Sequence, residues 1–235
     1  MATRTFTSAA SPSATACSLS PLSSPARTLL VTGFEPFGGE TLNASWEAAQ
    51  RLEGWRHGEY AAIARLLPCA YDASVKELIR AIETLRPDAL LMTGQAARRG
   101  AVCVERFARN LDDAVAPDNE GALRRALRIS RDAPEWLEAA APVRAIVKAI
   151  NEAGIRARVS RNAGTFVCNH LYFGALQHLG GLKRPIPAVF LHLPVTPEQT
   201  PRAASATRLT AAKAADALRA AAAAMIDPSG SSEAA

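Results

Sequence analysis

Short apolar runs and amphipathic stretches take turns through the middle of this chain. Residues 28–32 (TLLVT) form a β-branched apolar run stopped by Gly33, the pattern of a buried strand. Beyond a loop holding Gly and Pro, Asn43 or Ser45 can cap a helix running to Arg51, with Glu47 in its early turns. Residues 60–67 read as a second strand. Asp72 or Ser74 then starts the helix VKELIRAIETL, which puts Val75, Leu78, Ile79 and Ile82 on one face and ends before Pro87. Residues 88–93 are a third buried strand, again stopped by a glycine. Residues 101–109 alternate Val102, Val104 and then Phe107 with polar positions, which predicts a more exposed strand. Residues 111–135 are polar and irregular. Pro142 opens the helix VRAIVKAINEAG, with Gly154 after its last turn. A strand at 156–160, a helix at 166–179, a central strand at 188–193 and a long helix at 204–226 complete the series. Such alternation predicts one α/β domain over residues 27–227, a three-layer α/β/α sandwich with a mostly parallel sheet.

The two ends differ from this middle. Residues 1–26 are rich in Ser, Thr, Ala and Pro, with Arg4 and no acid; residues 228–235 are small and polar. Neither has the apolar content to offset chain entropy, so both read as disordered tails. An acid-free, Ser-rich start also fits an organelle transit peptide, but a single Arg and no amphipathic period favour a tail.

Charge and composition mostly exclude. The 235 residues carry 27 Lys+Arg against 22 Asp+Glu, a formal charge of +5, but the basic pairs Arg98-Arg99, Arg124-Arg125 and Lys183-Arg184 are dispersed among acids. Aromatics are only 6% and none interleaves with a basic run, so no nucleic-acid partner is expected. The most apolar stretch, near residue 220, is interrupted by Arg219, so no membrane partner is expected either. Cysteines at 17, 69, 103 and 168 form no CxxC pair, which suits reduced thiols in a cytoplasmic protein.

Four loops carry the candidate chemistry, each placed where a strand hands over to a helix or another strand. Gly33-Phe34-Glu35-Pro36-Phe37-Gly38-Gly39 is neither a P-loop nor GxGxxG; its two phenylalanines either plug the core or line a small apolar pocket. Gly94-Gln95-Ala96-Ala97-Arg98-Arg99 leads towards Glu105. Residues 162–170 bring Cys168 into the first turn of a helix, where backbone N–H groups and the helix dipole favour a thiolate and can hold an oxyanion. Residues 190–194 put His192 near the end of a buried strand. Cys, His and an acid on separate elements are the parts of a thiol acyl-transfer site. His170, two residues from Cys168 on a helix, points away from it and serves neither as base nor as metal ligand. His57 and His178 have no evident partner.

Together these loops resemble pyroglutamyl peptidase I, a family of intracellular cysteine peptidases. VTGFEPFGGETLNASWEA, AGTFVCNHLYFGAL and FLHLPVTPEQ carry the likeness, and PVRAIVKAINEAGI fits it, so it spans about residues 29–199. The resemblance implies Cys168 as nucleophile, His192 as base and Glu105 as the orienting acid. It implies removal of the N-terminal pyroglutamyl residue from peptides without metal or cofactor, and a homotetramer as the usual assembly. The small uncharged lactam ring suits an apolar slot of Phe34, Phe37, Phe166 and Val167, with groups near Asn43 and Gln95 serving its amide. Three departures stand out: GQAARR for the family's GQAGGR, which puts Arg98 at a glycine position; Val115 where an Arg is expected; and GALRRALRISR at 121–131 without the usual proline. Arg98 and Val115 motivate a second reading, a relative that binds N-blocked peptides without turning them over.

Overall fold

A computed structural model describes Met1, residues 27–199 and residues 208–227. The expected tails, and residues 204–207 of the helix expected over 204–226, lie outside the described residues; residues 208–210 are not helical, and that helix starts at Ala211, where Thr210 caps it. The strands are β1 (Arg27–Phe34), β2 (Arg56–His57), β3 (Tyr60–Leu67), β4 (Ala89–Gln95), β5 (Val102–Glu105), β6 (Phe107–Arg109), β7 (Trp136–Glu138), β8 (Ala157–Ser160) and β9 (Ala188–Leu193). The helices are α1 (Ala44–Ala49), α2 (Tyr71–Leu85), α3 (Val143–Glu152), α4 (Val167–Gly180) and α5 (Ala211–Ile226). Seven strands form the central sheet in the order β2-β3-β1-β4-β9-β5-β8, while β6 and β7 pair separately.

Alternation along the strands sorts side chains onto two faces. Leu29, Val31, Leu91, Val104 and Leu191 face α1, α3 and α5, meeting Ile146, Ile150 and Leu218. Leu30, Leu90, Met92 and Phe190 face α2 and α4, meeting Leu78, Ile82, Leu171 and Phe173. Each such side chain, fully withdrawn from water, contributes roughly 1.5–3 kcal/mol before chain entropy is counted. The result is a three-layer α/β/α sandwich.

The sheet is mostly parallel. β3, β1, β4 and β9 run together, and β8 runs parallel to β5. The β9–β5 pairing is antiparallel, so β5 and β8 run against the central four strands. Strand β5 is also fully buried, which corrects the more exposed strand expected over 101–109. Its polar-looking alternate positions, Cys103 and Glu105, lie on the same face as His192 and Phe190, their ladder partners. The chain then leaves the sheet at Arg106, and β6 pairs with β7 instead.

Helix starts depend on local and distant partners to different degrees. Asn43 caps α1, its Oδ1 accepting from the Ser45 N–H at 3.0 Å, and a short 3₁₀ turn (Gln50–Leu52) follows. α1 lies so close to β1 that a Cβ on Gly33 would stand 2.7 Å from the Ser45 carbonyl carbon. α2 begins at Tyr71, ahead of the expected Asp72 or Ser74, because the Tyr71 N–H donates to Asp118 Oδ2 at 2.9 Å from a loop 47 residues away. Pro142 caps α3, and Thr210 caps α5 by accepting from the Lys213 N–H.

Candidate active site

α4 is apolar on nearly every side and packs beside α2 against the sheet. Its first internal bond runs from the His170 N–H to the Phe166 carbonyl at 3.0 Å, and no side chain caps it. The N–H groups of Val167, Cys168 and Asn169 are therefore unspent at the helix mouth, where they and the dipole favour negative charge. Cys168, half-buried, stands in this turn.

The sheet brings His192 to the same place. Gly94 near the end of β4 is the ladder partner of His192 on β9. A Cβ on Gly94 would lie 2.8 Å from Cys168 Sγ and 2.7 Å from the Phe190 ring. Only a bare backbone leaves room for the sulfur beside the strand that carries the histidine. Burial pushes the Cys168 thiol up, Cys69 and Glu105 push the same way, and Arg99 and the helix-mouth N–H oppose. The resting sulfur is accordingly a protonated thiol that needs a base.

The imidazole is braced from within. His192 Nδ1 is 2.8 Å from Glu105 Oε1, and both residues are buried. A carboxylate there fixes a proton on Nδ1 and leaves the Nε2 lone pair free. In register Glu105 is opposite Phe190, two residues deeper in the sheet than His192, because β5 is inverted. Arg99 meets the same Oε1 at 3.0 Å, while its guanidinium also donates to Ser160 Oγ at 2.8 Å and to the Asn162 carbonyl at 2.6 Å. Sequence reasoning missed Arg99; the signal was an arginine at the end of the GQAARR loop, which the focus on Arg98 obscured. Tyr172 adds a bond from its hydroxyl to the Glu105 carbonyl at 3.1 Å.

The expected pocket residues fall into two groups. Phe37 and Phe166 are partly buried and pack at 5.1 Å between ring centroids, beside Cys168. Phe34, at 2% exposure, and Val167, at 0%, belong to the core behind them. The side chains of Asn43 and Gln95 are committed to the β1–α1 loop: Asn43 Nδ2 donates to the Glu35 carbonyl at 2.9 Å, and Gln95 Oε1 accepts from the Ala44 N–H at 2.8 Å. Of the departures, Arg98 is exposed and Val115 is 88% exposed. Among the described residues no three His, Cys, Asp or Glu side chains converge as metal ligands.

The other histidines are structural. Asn169 Oδ1 accepts from the Arg109 N–H while its amide donates to the carbonyls of Arg109 and Leu111, pinning β6 to α4. His170 Nδ1 meets Asp112 Oδ2 at 2.9 Å, away from Cys168. His57, expected to lack a partner, pairs with Asp227 at 2.9 Å and stacks on Trp55. His178 Nε2 is buried without a hydrogen-bond partner.

Comparison with known proteins returns one family. The pyroglutamyl peptidase family model matches residues 27–228. The chain is 47% identical over 176 residues to the pyrrolidone-carboxylate peptidase of Chromobacterium violaceum, covering 75% of this chain and 81% of that protein. Among solved structures, pyroglutamyl peptidase I of Bacillus amyloliquefaciens aligns with a TM-score of 0.81 at 39% identity, covering 84% of this chain and 95% of the other. The pyrrolidone carboxyl peptidase of Thermococcus litoralis aligns with a TM-score of 0.82 at 32% identity, covering 87% of this chain and 95% of the other.

Proposed function

This chain belongs to the pyroglutamyl peptidase family, and from that premise we propose that Cys168, His192 and Glu105 carry its reaction. It is a cysteine peptidase of the pyroglutamyl peptidase I type, hydrolysing the bond after an N-terminal pyroglutamyl residue. The observation that carries the residue assignment is the position of Cys168 Sγ at Gly94, the ladder partner of a histidine braced by a buried glutamate.

The lactam ring of the substrate enters between Phe37 and Phe166, with Phe34 and Val167 behind them as the apolar floor. His192 Nε2 takes the thiol proton as Sγ attacks the scissile carbonyl carbon. The oxyanion forms at the mouth of α4, facing the unspent N–H groups. Collapse expels the peptide amine, which receives the proton from His192, and leaves a thioester on Cys168. Water, deprotonated by His192, then attacks the thioester, releases pyroglutamate and restores the thiol. Through both halves Glu105 holds the ring and stabilises its cation. A free N-terminal glutamine or glutamate would carry a charged amine into a slot with no partner for it, which explains selection for the cyclised residue. Backbone groups beside Asn43 and Gln95 are the nearest candidates to serve the lactam amide.

We take the working assembly to be a cytoplasmic homotetramer, as the resemblance implies; among the described residues no helix is long and apolar enough to cross a membrane. Light scattering tests the assembly directly, with a mass four times the 24.8 kDa chain expected.

The deciding experiment is single-turnover release of arylamine from a pyroglutamyl-arylamide near neutral pH with reductant. Wild type should turn over and Cys168→Ser should lose at least about a thousandfold in rate. No turnover by folded wild type would restore the binding-only reading and make Arg98 and Val115 the residues to revert.

A further inference from the structure

A second cluster of charged side chains lies behind the pocket, unused by the chemistry above. Asp112, 1% exposed in its side chain, receives both the Arg124 guanidinium at 3.0 Å and His170 Nδ1 at 2.9 Å on the same Oδ2. Asp72 meets the other side of both partners: Arg124 through Nη2, and His170 through Nε2 at 3.4 Å. Four side chains from α2, α4 and the two sides of the 112–127 loop thus close a ring. The loop itself is a narrow hairpin, with Asp112 bonded to Leu127 and the Ala114 N–H donating to the Arg124 carbonyl.

This ring encloses an aromatic. The Arg124 guanidinium carbon lies 4.5 Å from the centre of the Tyr71 ring, and His170 meets the same ring edge-on at 5.4 Å. Tyr71 in turn meets Phe166 edge-on at 5.6 Å, and Phe166 meets Phe37 at 5.1 Å. Phe166 is the cap residue of α4, two positions before Cys168. The same hairpin grips the preceding residue twice, since Thr165 Oγ1 donates to the Asp113 carbonyl at 2.6 Å and the Asp113 N–H donates to the Thr165 carbonyl at 2.9 Å. A chain of contacts therefore runs from Arg124 to the wall of the pocket without touching Cys168 or His192.

We propose that Arg124 is a positioning residue for the pyroglutamyl pocket: tied to Asp112 and Asp72, it holds Tyr71 against Phe166 and so sets the aromatic wall that receives the lactam ring. The proposal rests on the peptidase reading. Arg124 belongs to the 121–131 segment, which lacks the family's usual proline. A guanidinium suits the place because its flat face covers the ring while its two edge nitrogens reach different carboxylates. Removing it leaves the buried Asp112 with His170 as its remaining side-chain partner and frees Tyr71 to tilt. Substrate ground state and transition state both use the wall, so losing it weakens binding more than it slows the chemical step.

The test uses the full chain with a pyroglutamyl-arylamide, and 2-pyrrolidone as a bare lactam probe. Arg124→Leu should raise KM about tenfold with kcat within about twofold, the signature of lost uniform binding. The concentration of 2-pyrrolidone that half-protects Cys168 from iodoacetamide should rise by about the same tenfold. Arg124→Lys should recover part of both, keeping the charge but not the flat stacking surface. Should Arg124→Leu fail to fold, Arg124→Gln and Arg124→Lys carry the comparison. A folded Arg124 variant with unchanged KM and unchanged protection overturns the proposal, as does a fall in kcat at constant KM. Wild type that is protected by 2-pyrrolidone but cleaves nothing would sink the peptidase reading and leave the positioning test intact. Wild type with neither turnover nor protection overturns both.

Discussion

Two neighbouring regions of this molecule solve the same problem by opposite means. The strip formed by β4, β9, β5 and the mouth of α4 places its reactive groups by regular backbone: ladder register sets His192 beside Gly94, and a helix start sets Cys168 above them. The segment from Asn110 to Glu138, which backs the pocket, has almost no regular backbone, and side chains hold it. Asn110 alone donates to the carbonyls of Ser130, Ala133 and Pro134, while Asn169 reaches across from α4 to Arg109 and Leu111. Where hydrogen bonds are between backbone groups of a ladder, the chemistry inherits the precision of the sheet. Where they run from single side chains, one substitution can release many residues.

That contrast breaks most sharply at Gly94. Gly94→Ala puts a methyl group 2.8 Å from Cys168 Sγ and 2.7 Å from the buried Phe190 ring, closer than carbon contacts allow, so the sulfur or the ring must shift. A displacement of the sulfur of this order should lower kcat/KM by about a hundredfold. The overpacking should cost about 1–3 kcal/mol of stability, read from urea unfolding. A variant with near-normal rate would mean that the site tolerates looseness and that register is not what places the sulfur.

In the side-chain-held region the corresponding change is Asn169→Ala. It removes three hydrogen bonds to backbone groups of Arg109 and Leu111, and should cost about 2–3 kcal/mol of stability, read from urea unfolding. Activity should fall less than about tenfold, because the Asn169 side chain, which the substitution removes, makes no contact with the reacting atoms. A larger loss of rate than of stability would show that the two regions are not separable.

The mildest test concerns Cys69, which lies in the core cluster against which Cys168 packs. Burial lifts its thiol from about 9 to about 12, with Glu35 and Asp118 adding to the effect. The folded chain therefore keeps a proton that the unfolded chain releases above about pH 9. This contribution is fully present below that point and is lost as pH rises towards 12, by up to about 1.4 kcal/mol per pH unit. Cys69→Val should flatten the alkaline limb of stability against pH while leaving neutral stability nearly unchanged. An equally steep limb would assign the loss to the other groups that burial pushes up, Tyr71, Cys168 and Tyr172.

The same division explains what could be read from the sequence. β3 and β9 coincide with their expected bounds, because a strand buried against helices must be an apolar run between breakers. The members of the proposed catalytic set are legible in the sequence as the residue types of a thiol acyl-transfer site on separate elements, and the family resemblance assigns their individual roles. β5 was misjudged for a physical reason: its interior face carries Cys103 and Glu105, and a buried glutamate makes a core strand look half exposed. Active-site residues break the pattern that local reading relies on. β7, the β6–β7 pairing and the early start of α2 at Tyr71 were hidden because their partners, such as Asp118, lie tens of residues away. Arg124 was legible only as a basic residue in a polar stretch. Nothing local says that Asp72, Asp112 and His170 will meet around it.

The inversion of β5 has a further consequence for how this protein can change. In a sheet whose strands all ran one way, the carboxylate would sit on the rim with the loops that meet the substrate. Here it rises towards the imidazole from the interior, two ladder steps below it. The proton-handling pair is thus anchored in one layer of the molecule and the substrate-facing loops in another. Changes at exposed positions such as Arg98 and Val115 leave the Glu105–His192 bond in place, whereas a change at Arg99, which reaches the same carboxylate from its loop, would disturb it.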